Sequence, residues 1–167
     1  MKNFCNKICP PLQYDASKRG VTVIELLFVF AIIAIIVAVI SPQFSRLREN
    51  QVLQNTLGDI ISAMNKAQSK TLSSVNSLSY GVHFQSDKVI IFEGIVFTPG
   101  EPANEEINIL TPASISDVTL GGVSGPDGDI FFNRLSGSPN QTGTITVSTP
   151  SASKVISISA AGTASAD

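Results

Sequence analysis

Glu25 poses the sharpest chemical problem in this chain. It is the only charged residue between Val21 and Ser41, and from Leu26 to Ile40 no side chain is polar. A carboxylate inside a membrane-length apolar helix costs on the order of 2.5–3.5 kcal/mol on insertion scales, and such groups are normally paired. Nothing in the apolar run can pair with it. Just upstream stands Lys18-Arg19-Gly20-Val21. A cut between Gly20 and Val21 would make Val21 a free amino terminus, four residues and one helical turn from Glu25. The same ammonium could also come from a neighbouring copy. Glu25 would then lie in the first turn of the helix, where the macrodipole favours an anion.

Other residue types that do chemistry are sparse. His83 is the only histidine and falls in the middle of a strand-like run, where a packed or exposed strand histidine is the simpler reading. The serines are scattered along turns and strand faces without a nucleophile motif, and no phosphate-binding glycine loop follows a strand. No cofactor is expected. Asp127 and Asp129 flank Gly128 and are the weak candidates for Ca²⁺. That ion takes six to eight oxygens, so two carboxylates read more simply as an Asp-Gly turn. Glu101, Glu105 and Glu106 read as a solvated loop. Asn140-Gln-Thr142 fits the short glycosylation acceptor pattern. Cys5 and Cys9 both precede the apolar run, and with one distant histidine they are too few for a metal site.

Four segments must position these residues. Residues 1–20 form a polar, basic leader. Residues 21–41 are about 20 in number, enough for a helix to cross roughly 30 Å of hydrocarbon. Residues 42–73 turn amphipathic. Phe44, Leu47, Leu53, Leu57, Ile60, Ile61, Met64 and Ala67 recur at three- and four-residue spacing among polar neighbours. Pro42 can kink the helix and Gly58 weakens it slightly. Together the two halves make one helix of roughly 50 residues, about 75 Å at 1.5 Å per residue. Its second half offers a core-packing stripe too short for a coiled coil.

After Ser73 the period changes. Tyr80–Phe84 and Lys88–Phe92 read as a hairpin, and Ile107–Leu110 and Ile115–Leu120 as weaker strands. Gly121 to Gly128 reads as loop before Ile130–Phe132. Gly143–Ser148 and Lys154–Ser159 alternate as half-buried antiparallel strands do. Ala160 to Asp167 is small and polar and is expected to fray. The expected fold class is α+β: a long N-terminal helix, half transmembrane and half amphipathic, packed on an antiparallel β-sheet domain over residues 74–167.

Lys18-Arg19-Gly20 followed by Val-Thr-Val-Ile-Glu-Leu-Leu and an apolar helix resembles the class III leader of type IV pilins and type II secretion pseudopilins. The resemblance implies cleavage after Gly20 by a prepilin peptidase and N-methylation of Val21. It implies that Glu25 pairs with a neighbouring subunit's amino terminus during assembly. Lys18 and Arg19 would be the leader's basic residues, and Pro42 matches a proline often found there. Val21 departs from the commoner phenylalanine. The implied partners are the peptidase, other pilin or pseudopilin subunits and an inner-membrane assembly platform.

The last third is similar to minor pseudopilins of the GspH/FimT type. A glycine-led strand at Ile130–Phe132 is followed by the Gly143-Thr-Ile-Thr-Val strand and a final strand ending at Gly162. DNA-binding members carry arginines after that glycine. This chain has Thr163-Ala-Ser-Ala-Asp167 instead, which argues against nucleic acid as a partner.

Charge agrees. The formal net charge is −2, but the leader's four basic residues against Asp15 give it +3, so residues 21–167 carry −5. That balance gives no nucleic-acid footprint. Four basic residues precede the apolar run, and only Arg46 and Arg48 closely follow it. The positive-inside rule thus places the leader in the cytoplasm and the rest beyond the inner membrane. A structural subunit, not an enzyme, is expected, most simply a minor one. The alternative is an uncleaved, membrane-anchored extracytoplasmic binding module.

Overall fold

The computed structural model describes residues 20–167, residue 42 in its backbone only. The chain divides into two compact units, Met1–Ile40 and Ser41–Asp167. A helix, α1, runs Val23–Leu72 and contributes to both. Its length of 50 residues agrees with the sequence periodicity. Among the described residues it is the one helix long and apolar enough to cross a membrane.

In the second unit, α1 buries Leu53, Thr56, Leu57, Ile60, Ala63, Met64, Ala67 and Thr71. These recur at three- and four-residue spacing and so form one stripe. Each large apolar member stabilises the fold by roughly 1.5–3 kcal/mol through burial. The stripe expected from the sequence starts too early, because Phe44 and Leu47 are 61% and 64% exposed. Packing starts about two turns later, at Val52 and Leu53.

The helix ends in residues of left-handed backbone. Ser74, Asn76 and Ser77 all have positive φ around a 3-10 turn at Val75–Ser77. The buried Thr71 hydroxyl ties the last turn of the helix to the start of the first strand. It donates to the Ala67 carbonyl and accepts from the Tyr80 amide, both at 2.9 Å.

The strands form two antiparallel sheets around one core. β1 (Tyr80–Phe84), β2 (Lys88–Glu93), β3 (Glu105–Asn108) and β6 (Gly128–Phe131) make a sheet ordered β3-β2-β1-β6. β4 (Ser114–Leu120), β5 (Val123–Gly125), β7 (Gly143–Ser148), β8 (Ser153–Ile158) and β9 (Ala164–Ala166) make the other, ordered β5-β4-β7-β8-β9. Val82, Phe84, Ile91 and Ile130 from the first sheet meet Val118, Ile145, Val147 and Ile156 from the second, together with the helix stripe.

Two segments depart from expectation. Gly121 and Gly122, at φ 58° and 84°, form a two-residue turn between Leu120 and Val123, and so β5 exists where a loop was expected. Paired positive φ is the type I′ requirement that glycine meets without strain. The C-terminal residues do not fray, because Ala164 to Ala166 pair with Ile158 to Ile156 as β9. Gln68 of α1 holds that end. Its side-chain amide donates to the carbonyls of Ala161 at 3.0 Å and Gly137 at 2.9 Å.

Glu105 and Glu106 are also not loop residues. They stand on β3, where Glu105 pairs with Lys66 and Lys70 of the helix and Glu106 with Lys88 of β2. The Lys66 hydrogen bond is the main cause holding the Glu105 carboxyl below its usual range. Tyr80 shifts the other way. Burial pushes its hydroxyl up, helped by a 3.1 Å hydrogen bond to Glu93.

Candidate site at the head of the helix

Gly20, Val21 and Thr22 lead into α1 in non-helical backbone. The helix starts at Val23 because Thr22 caps it. The Glu25 amide donates to the Thr22 hydroxyl at 3.3 Å, and the Leu26 amide donates to the Thr22 carbonyl at 3.1 Å. A threonine three residues before a glutamate is the capping-box signature. Thr22-Val-Ile-Glu25 carries that signal in the sequence, but a reading that starts from the charge of Glu25 misses it.

Glu25 stands in the first turn, on the positive end of the helix dipole. Its carboxylate is in none of the four ion pairs among the described residues, Lys66–Glu105, Lys70–Glu105, His83–Asp129 and Lys88–Glu106. Lys18 and Arg19, with Cys5 and Cys9, lie outside the described residues.

Around and beyond Glu25 the helix is apolar on every side. Consecutive residues Leu26 to Phe30 are exposed, as are Ile32, Ile33 and Ile35 to Val37. A helix of this kind needs an apolar environment over its whole circumference. Lipid supplies it, and so do other apolar helices. In either setting a carboxylate on the first turn can pair only with a cation brought to the helix head.

The other candidates come together differently. Asp129 stands across from His83 in the β1–β6 ladder, and its carboxylate contacts the imidazole Nδ1. Phe97, from the β2–β3 connection, stacks on the same ring at 3.9 Å and 8° and meets Phe92 edge-on at 5.6 Å. His83 is buried, and its Nε2 has no hydrogen-bond partner among the described residues. This imidazole is packed under the β2–β3 connection. Asp127 does not share that contact. Among the described residues no three His, Cys, Asp or Glu side chains cluster as metal ligands would. Asn140 is exposed, and its side-chain oxygen accepts from the Phe131 amide at 3.0 Å. A cleft beside Leu78 and Val96 is lined by Glu93, Thr98, Glu101 and Asn104.

The helix head is also where comparison with known proteins finds a match. Residues 15–41 match the family model described as the prokaryotic N-terminal methylation motif, the prepilin-type leader of type IV pilins and pseudopilins. No curated protein and no solved structure matches the chain.

Proposed function

We propose that this chain, which carries a prepilin-type leader, is a minor structural subunit of a type II secretion pseudopilus or a type IV pilus. In this reading prepilin peptidase cuts after Gly20, Val21 is N-methylated, and residues 21–41 cross the inner membrane with the leader inside. An inner-membrane platform then feeds the subunit into a filament, where apolar helices pack together.

The observation that carries the reading is the placement of Glu25. It combines a carboxylate in no ion pair among the described residues, a first helical turn, an apolar surface on every side and a matched prepilin-type leader motif. Apolar packing between helices is cumulative and weak in direction. A charge pair in a low-dielectric setting is directional, so the Glu25–ammonium contact would set register. Assignment as a minor subunit rests on the resemblance of the last third to GspH/FimT-type domains. The glycines at the heads of β6 and β7, and Gly162 at φ 83° after β8, support that pattern. Thr163 to Asp167 supply no cation for a nucleic acid.

The test is the amino terminus of protein recovered from membranes that contain prepilin peptidase, by intact mass and N-terminal peptide mapping. A chain beginning at N-methylated Val21 is expected. Retention of Met1 to Gly20 under those conditions would instead make the protein an uncleaved anchor carrying an extracytoplasmic module.

A further inference from the structure

We infer that the helix segment just past the apolar run is a phospholipid-headgroup belt, with Arg46 and Arg48 as its phosphate-binding groups. The inference rests on the membrane-spanning part of the reading above.

Every described side chain from Gln43 to Arg48 is exposed, while packing against the sheets begins only at Val52 and Leu53. The helix is therefore bare over this stretch. Its residues are not those of a bare helix in water. Phe44 and Leu47 are large and apolar, and they alternate with the two arginines. Arg46 and Arg48 are in none of the ion pairs among the described residues, although Glu49 is adjacent. The Glu49 carboxylate instead accepts from the Ser151 hydroxyl. At 100° per residue the two arginines point about 160° apart, so they reach opposite sides of the helix. A protein partner on one face would meet one of them. A headgroup layer surrounding the helix meets both.

Chain position fits the same occupant. Phe44 to Arg48 begin four residues after Ile40, the last apolar residue of the run, which is the depth where aromatic rings and snorkelling arginines sit. Charge complementarity favours phosphate. Residues 49–167 hold five basic residues against eleven acidic ones. Such a body is repelled by an anionic surface, and Arg46 and Arg48 are the cations between it and the apolar run. Guanidinium binds phosphate oxygens through paired N–H donors, which a lysine does less well.

The experiment places the full chain in nanodiscs of equal phosphatidylglycerol and phosphatidylcholine and releases it with bound lipid into a native mass spectrometer. The ratio of the two lipids retained is compared with that for Arg46→Gln/Arg48→Gln. The leader's basic residues are identical in both chains and cancel. A basic residue at an anionic surface corresponds to roughly fivefold enrichment, so the double variant should lose most of the phosphatidylglycerol excess attributable to this segment. Arg46→Lys/Arg48→Lys should keep part of it. Both arginines are exposed, so the variants should fold, which circular dichroism checks. An unchanged ratio in a chain that still resists carbonate extraction overturns the belt and leaves the membrane-spanning reading standing. Release of the wild-type chain by carbonate overturns both.

Discussion

The amide of Glu25 donates to the hydroxyl of Thr22 at 3.3 Å. One amide at the helix head is thus satisfied by Thr22, and the carboxylate of Glu25 is in no ion pair among the described residues. Capping and charge pairing reside on different atoms, so they can be separated by mutation. Glu25→Ala should leave the β domain folded, because the core of that domain is built from Leu53 onward and does not include Glu25. It should strongly reduce incorporation into filaments, read as subunit recovered in the sheared filament fraction. Thr22→Ala should do the reverse, weakening the helix start by about 1 kcal/mol with a smaller effect on incorporation. Normal incorporation of Glu25→Ala would remove the assembly role.

Gly81, on β1, is held small by its neighbours. A Cβ there would lie 2.7 Å from the Ile130 carbonyl oxygen and would run into the Phe92 ring. The oxygen belongs to the β1–β6 ladder and cannot retreat without breaking the pairing of Val82 with Ile130. Gly81→Ala should destabilise the domain by roughly 1–3 kcal/mol, the range for overpacking. A chemical-denaturation midpoint checks it. Gly58 is the control, since a Cβ there meets nothing within 4 Å. Gly58→Ala should be neutral or stabilise by up to about 1 kcal/mol through helix propensity.

Phe97 covers His83 and Phe92 on the outer face of the first sheet, away from the main core. Phe97→Ala would strip a ring from both contacts and open the β2–β3 connection. Phe97 is only half-buried, so the loss should fall below the full aromatic-to-alanine cost, at roughly 1–2 kcal/mol. Hydrogen exchange should rise in residues 94–104 before it rises in β7 or β8. Uniform acceleration across both sheets would mean that the strap is part of the main cooperative unit.

Much of this fold was legible because periodicity tracks burial. The helix stripe from Leu53 to Ala67 and the alternating strands at Gly143 and Lys154 have strong patterns, and they pack as those patterns require. Phe44 and Leu47 share the spacing but not the packing, since period alone cannot say where a partner surface begins. β5 was read as loop: Gly121-Gly122 suits a two-residue hairpin, but the strand residues that follow are too few to show alternation. β9 was not legible. Alanine and serine carry little strand propensity, and the ladder to β8 with the Gln68 bonds holds them in place. The Asp129–His83 contact joins residues 46 apart through strand register, which no local spacing reveals. At the helix head, Gly20, Val21 and Glu25 stood out because their chemistry is local in sequence.

The ion pairs of Glu105 predict a specific acid dependence. Glu105 ties the edge strand β3 to the helix through Lys66 and Lys70, with the Lys70 ammonium at 3.4 Å from the carboxylate and 5.3 Å from the centre of the Tyr80 ring. Hydrogen bonding to Lys66 is the largest cause lowering its folded pKa, opposed in part by burial. The folded carboxyl therefore loses its proton more readily than the unfolded one, whose pKa is about 4.3. Its contribution to stability is fully present above that value and disappears as pH falls through the lower, folded one. Glu105→Gln should cost stability at pH 7, and the difference from wild type should shrink as pH drops below about 4.3. Both carboxyl and lysines remain partly exposed, so 1 M salt should also reduce the difference. Urea midpoints for the two chains at pH 7, 5, 4 and 3 read this directly. A difference that stayed constant from pH 7 to pH 3 would assign the effect to packing of the side chain, with no part for its charge.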